Sequence, residues 1–251
     1  MANCVPCSAA FRGKGQAWIA EYPGESNPFR KLGNVTVLSY ETSTSTESIP
    51  NMTTPGGGTC ATAMMVDETT CTIETTDAAC VENAALGMLG ISVERIAGTL
   101  ITAEEVNSYH GSPIWVSRMP DPAVAVIVED ITDTTTYVLN TDYVVDADTG
   151  YITTLSTGAI TDGQVLHITY TTTSSFEITA LQAGFKDYAI KFIGVNEFNG
   201  KRVESIWYKA KLSAAAAKSM ISAEHVVLSL TGTLQNDPLH DGAPYQEVYQ
   251  A

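Results

Sequence analysis

The stretch "NVTVLSYETSTSTE", Asn34 to Glu47, decides how the chain is read. Val, Thr and Tyr dominate it, with Leu38 and Tyr40 on one side of a period-two pattern and Ser39, Glu41, Ser43, Ser45 and Glu47 on the other. That pattern predicts a long β-strand with one dry and one wet face. "SIPNMTTPGGGT" follows, and Pro50, Pro55, Gly56, Gly57 and Gly58 make it a flexible loop or hairpin tip. Strand signal returns over residues 60–75, where Thr70, Thr72 and Glu74 alternate with Cys71 and Ile73. The two strands are expected to pair.

Working outward, Asp77 is placed to N-cap a short amphipathic helix in "AACVENAALGML", with Ala78, Val81, Ala85, Met88 and Leu89 on one stripe and Gly90 as its stop. From 91 to 180 the pattern gives successive short strands: "ISVERI", "PIWVSRM", "AVAVIVEDI", "TTYVLN", "DYVVD", "GYITTL" and "QVLHITYTTT". "DYVVDADTGYITTL" holds three aspartates and a glycine, which raises the question of a calcium loop. Counting from Asp146 puts Gly150 one place early and Thr157 where the bidentate Glu belongs, so a hairpin is expected instead. "DYAIKFIGVNEFNGKRVESIWYKAKL" reads as two strands around "NGK". In its second arm Ile206, Tyr208, Ala210 and Leu212 are expected on one face, and Ser205, Trp207, Lys209 and Lys211 on the other. Ser213 is expected to cap a helix over "AAAAKSMI". The last strand, in "EHVVLSLTGTLQND", sets Val226, Leu228, Leu230 and Leu234 against His225, Ser229, Thr231 and Thr233.

The 251 residues carry a net charge of −15, and residues 51–180 account for all of it, with seventeen carboxylates against Arg95 and Arg118. Such a charge disfavours nucleic-acid binding that works by gripping phosphates. No apolar run approaches the ~18 residues of a membrane helix and no signal-peptide pattern opens the sequence, so a soluble protein made without export is expected. Cys4, Cys7, Cys60, Cys71 and Cys80 are then expected as reduced thiols. "CVPC" has redox or zinc spacing but lacks a preceding strand and a second CxxC, which favours a simple arm.

Catalytic signatures are not found: there is no GxSxG elbow, no HExxH and no GKS or GKT phosphate loop. His167 and His225 fall inside strand patterns, where a structural imidazole is expected. Neither an enzyme nor a resident cofactor or metal is expected.

Three stretches carry a resemblance. "VTVLSYETSTSTESIPNMTTPGGGTCATAMMVDETTCTIETTDAACVENAALGMLG", "YVLNTDYVVDADTGYITTLSTGAITDGQVLHITYT" and "IKFIGVNEFNGKRVESIWYKAKLSAAAAKSMISAEHVVLSLTGTLQND" together resemble the tail tube (major tail) proteins of long-tailed bacteriophages and prophages. The likeness spans most of residues 34–237. It implies a mainly β subunit, a sandwich or barrel with one or two short flanking helices, that gives strands to a hexameric inner β-barrel. It implies stacked rings forming a tail conduit for DNA, assembled in the bacterial cytoplasm. With four strands from each of six subunits, ~24 strands at ~4.8 Å spacing and ~40° tilt enclose a backbone diameter of roughly 48 Å.

On that resemblance the chain divides into an arm and lead-in (1–33), a first tube half (34–112), a strand-rich and inserted module (113–175), and a second tube half with tail (176–251). The implied partners are other copies of the chain, tape-measure, tail-tip and tail-terminator proteins, and genomic DNA passing through without specific binding. Glu41, Glu47 and Glu74 become candidate lumen residues, and Pro50, Pro55, Gly56, Gly57 and Gly58 candidate inter-ring loop residues. The alternatives are a ring protein of a phage-related secretion or injection apparatus and a β-rich adhesion module.

Overall fold

The computed structural model describes residues 10–50, 52, 58–89, 93–213, 215 and 219–250. The protein is mainly β with antiparallel sheets. Its strands in order are β1 (Gly13–Glu21), β2 (Arg30–Lys31), β3 (Val35–Pro50), β4 (Thr59–Thr75), β5 (Val93–Ile96), β6 (Leu100–Asn107), β7 (Ile127–Asp130) and β8 (Tyr143–Val145). Then come β9 (Ile152–Thr154), β10 (Val165–Thr171), β11 (Ser175–Ile178), β12 (Asp187–Asn196), β13 (Arg202–Leu212), β14 (Leu228–Leu234) and β15 (Tyr245–Tyr249). A short helix, α1 (Val81–Gly87), follows β4.

The chain forms two compact units, one of Met1–Val93 with Ile178–Ala251 and the other of Glu94–Glu177. The second begins earlier than position 113 because β6 pairs along β10, from Asn107 opposite Val165 to Leu100 opposite Thr171. β6 was not foreseen, since its Glu104 and Glu105 break the apolar pattern.

In the first unit one sheet runs β2-β1-β12-β13-β14-β4-β3, and β15 pairs with the N-terminal half of β13. The sheet curls, so that Tyr40 of β3 meets Trp207 of β13 edge-on at 6.2 Å and Tyr245 of β15 at 4.3 Å. Ile73, Leu230, Ala210 and Leu32 at its centre are fully buried. The expected faces of β13 are corrected here. Tyr188 pairs Ala210 but Ile190 pairs Trp207, so Tyr208 and Lys209 together oppose Ala189 in a bulge. The bulge shifts the phase by one residue: Val203, Ser205 and Trp207 face inward before it, and Ala210 and Leu212 after it.

Asp77 does not cap α1. Its Oδ2 accepts the Asn34 amide N–H at 2.9 Å, and Cys80 is the residue ahead of the helix. Gly33, at φ +82°, lies so close to that carboxylate that a Cβ would stand 1.8 Å from Oδ2. Of the helix expected over "AAAAKSMI", Ala214, Ala216, Ala217 and Lys218 lie outside the described residues, while Ala215, Ser219, Met220 and Ile221 are not helical; the Gly90 stop also lies outside. The Ser213 hydroxyl donates instead to the Thr231 carbonyl at 2.8 Å. His225 lies exposed ahead of β14 and not within a strand.

The second unit packs Val128, Leu166, Ile168 and Tyr170 in its own core. β6-β10-β7 form one sheet and β8 and β9 a hairpin. "PIWVSRM" and "TTYVLN" make only isolated bridges, Pro113 to Thr153 in the first, and Thr136 to Glu129 and Leu139 to Tyr143 in the second. The aspartate-rich stretch is the expected hairpin turn. Asp146 accepts from the Asp148 and Thr149 amides and from the Thr149 hydroxyl, and Gly150 takes φ +75°.

Candidate functional site

The long β3–β4 ladder changes character along its length. Near its base β14 pairs with β4 from Leu228 opposite Thr75 to Leu234 opposite Thr69. There Leu38 and Tyr40 lie opposite Ile73 and Cys71 and face the core. Burial pushes the Cys71 thiol up to about 12 and raises the Tyr40 phenol above its ordinary range, the latter helped by hydrogen bonding with Tyr245 and Glu247. The ladder shifts register three times. Thr36 is the extra residue between Val35 and Val37, Asp67 between Val66 and Glu68, and Cys60 between Thr59 and Ala61.

Past Ser43 the ladder has no described strand beside it. Residues 44–50 of β3 pair only with residues 59–66 of β4, and both faces are open to solvent. Ile49, Met64, Met65 and Val66 stand 59%, 74%, 50% and 69% exposed. This arm is the most unusual feature of the molecule, because a two-stranded hairpin alone is marginal in water and its edges offer unpaired backbone groups. Sequence reading missed the apolar residues on it. The signal was "AMMV", where apolar residues occupy both parities of the strand.

The three candidate lumen carboxylates share one side of the ladder. Glu41 lies opposite Thr70, Glu47 opposite Ala63 and Glu74 opposite Val37, all facing away from Leu38, Tyr40 and Ile73. Glu41 and Glu47 are exposed and Glu74 half-buried. Glu41 sits about 13 Å from the Glu74 level and about 20 Å from the Glu47 level along the strand, at ~3.3 Å per residue. They therefore form a line and not a cluster, spaced beyond the ~8 Å over which exposed charges act at physiological salt. Around them lie Ser39, Ser43, Thr72, Ser229, Thr231 and Thr233, with Lys211 opposite Thr233.

Of the candidate loop residues, Pro50 ends β3 and Gly58 precedes β4 at φ +116° with open space around its α-carbon. Pro55, Gly56 and Gly57 lie outside the described residues, as do Cys4 and Cys7. Cys71 and Cys80 are free thiols.

Among the described residues no group of three His, Cys, Asp or Glu side chains is arranged to hold a metal ion. No helix among them is long and apolar enough to cross a membrane. His167 Nδ1 lies 2.6 Å from Asp133 Oδ1. His240 stacks on Tyr208 at 3.7 Å, with Nδ1 2.7 Å from Asp237 Oδ2 and Nε2 3.0 Å from Glu25. Asp237 also accepts from the Tyr22 hydroxyl at 2.7 Å, so this polar knot fastens the segment after β14 to the end of β1.

Fold and surface together define an antiparallel β protein with a protruding, solvent-exposed hairpin arm. The model of the family described as Protein of unknown function UCP028589 matches residues 10–245, and the chain belongs to that family. No curated protein matches the chain.

Proposed function

We propose that this chain is a structural subunit of the tail tube of a long-tailed bacteriophage or prophage, assembling into stacked hexameric rings. The observation that carries the reading is the free half of the β3–β4 ladder, with Ile49, Met64, Met65 and Val66 exposed along it. Apolar groups and unpaired strand edges on one arm call for a cover. A second copy supplies one, and a head-to-tail contact repeated around an axis closes into a ring when the rotation closes. In such a ring the hydroxyl-rich side bearing Glu41, Glu47 and Glu74 faces the bore, where carboxylates repel phosphates and favour passage of DNA over capture. On this reading the protein acts in the virion tail, meets tape-measure, tail-tip and tail-terminator proteins, and performs no catalysis.

The test is negative-stain electron microscopy and sedimentation of the purified chain beside the variant Met64→Ser, Met65→Ser, Val66→Ser. The parent is expected to give six-fold rings or tubes. The variant is expected to stay monomeric at an unchanged melting temperature, since exposed positions shift stability by only ~0.5 kcal/mol. A parent that remains monomeric at high concentration, and is missing from tubes in particles that carry its gene, overturns the reading.

A further inference from the structure

Both ring nitrogens of His240 meet carboxylate oxygens. Nδ1 lies 2.7 Å from Asp237 Oδ2, and Nε2 lies 3.0 Å from Glu25 Oε1. A neutral imidazole carries one N–H and one lone pair, so it donates to only one of these acceptors, whereas the imidazolium donates to both. The ring also stacks on Tyr208 with 11° between the planes, a contact that an aromatic face makes more strongly with a cation. The surroundings are therefore complementary to the protonated ring.

The groups around it keep one state while an imidazole titrates. Asp237 is 1% exposed. Against the cost of burial, the Tyr22 hydroxyl, His240 and the Leu239 amide hold its carboxyl below the ordinary value. The hydrogen bond to Asp237, with burial, pushes the Tyr22 phenol up to about 12, and burial raises the Tyr208 phenol as well. The other charged groups nearby are Lys209, which lies 3.5 Å from Asp187 Oδ2 and over the Tyr22 ring at 5.3 Å, and the exposed Asp241. The Glu25 side chain, 59% exposed, has room to turn into solvent when Nε2 loses its proton.

What His240 holds is the entry to β15. The Gly242 amide donates to the Asp237 carbonyl at 2.8 Å and the Ala243 amide to the His240 carbonyl at 2.9 Å, which closes the segment Asp237–Ala243. Tyr208, the stacking partner, donates its amide to the Pro244 carbonyl at 3.1 Å and its hydroxyl to Gln246 Oε1 at 2.6 Å. β15 then pairs with β13 and sets Tyr245 and Glu247 against Tyr40 of β3, closing the curl of the sheet.

We propose that His240 is a protonation-dependent clasp: its imidazolium ties the turn Gly24–Ser26 to the segment Asp237–Ala243 and holds β15 in place, and loss of the ring proton releases Glu25 and loosens β15. A proton bound in the clasped state stabilises that state on the acid side of the imidazole range, and the stabilisation is lost as pH rises through it. The inference stands apart from the tail-tube reading, since it concerns contacts within a single unit.

Amide hydrogen exchange of the full chain, corrected for the intrinsic pH dependence of exchange, tests it at about pH 5.5 and about pH 8, either side of the imidazole range. Peptides covering Leu239–Tyr249 are expected to be about threefold more protected at the lower pH, the effect of one partly exposed ion pair. Glu25→Gln is expected to shrink that difference to less than about 1.5-fold, because the Gln amide accepts from the protonated ring and donates to the neutral one. His240→Gln is expected to remove the difference and to leave protection near the parent's level at the higher pH. If His240→Gln fails to fold, Glu25→Gln decides. Equal protection of these peptides in the parent at the two pH values overturns the proposal. So does a difference that survives intact in Glu25→Gln, which traces it to another histidine.

Discussion

Asp142 shows how one carboxylate organises a loop region. Its Oδ2 accepts the Val138 amide at 2.8 Å and its Oδ1 the Ala159 amide at 2.7 Å, while the side chain itself is buried. These two amides hold its pKa below the usual carboxylate value, against the opposing effect of burial. A folded-state pKa depressed below the unfolded one gives stability that is complete above the unfolded value, near 3.8, and lost as pH falls through the folded value. Melting temperatures of the second unit are therefore expected to drop as pH falls below about 4. Asp142→Asn should melt lower at neutral pH, because one amide then meets an NH₂ group, and should show a shallower acid drop. A parent-like acid slope in that variant would count against the assignment. Asp146 works differently, closing its own turn through three acceptor contacts. Asn at 146 and 148 preserves turn chemistry, so the double variant Asp146→Asn, Asp148→Asn is expected to melt independently of calcium or chelator, as the parent does. A calcium-dependent rise in the parent that the variant abolishes would reverse the hairpin reading.

At the scale of the element, β4 is two structures in one strand. Ile73, fully buried, lies opposite both Leu38 of β3 and Leu230 of β14. Ile73→Ala is expected to cost about 2–5 kcal/mol in denaturant unfolding followed through the first unit, since a rigid three-strand sandwich of side chains cannot collapse around the void. A cost near that of an exposed residue would show the base of the hairpin to be loosely packed. N-terminal to Glu68 the same strand pairs with β3 alone among the described strands, and substitutions there are expected to act on assembly and not on melting. Alternation in the sequence revealed that β3 and β4 exist and which side of β3 is dry. It misplaced the faces of β13, because the bulge at Tyr208 and Lys209 inserts one residue and inverts every inward position before it. It also missed β6, whose pairing with β10 follows from long-range contact and not from its own acidic pattern.

The whole molecule carries two separate hydrophobic cores in two units of one chain. The charge asymmetry of the sequence is spread over both, since β4 with α1 and the entire second unit supply the excess carboxylates. Changing Glu41, Glu47 and Glu74 together to Lys is expected to leave the subunit fold intact, since Glu41 and Glu47 are exposed and the half-buried Glu74 lies on the side of the ladder away from the core. On the proposed tail-tube reading, the same change is expected to slow DNA ejection at low salt and to lose that effect as salt rises, because phosphate contacts release counterions. Mutant tails that eject at the parent rate in low salt would remove these residues from the bore.

By itself, the sequence determined the mainly β class, the long paired strands, the turn at Asp146 and the hairpin after β12. All are set by local alternation and turn chemistry, which act within a few residues. Only the tertiary structure decided the strand order, the phase of β13, the extent of the second unit and the release of the arm beyond Ser43. It alone brought Tyr22 and Glu25 to Asp237 and His240. Each of these depends on partners far apart in the chain, and no local pattern encodes which distant strand a given edge will meet.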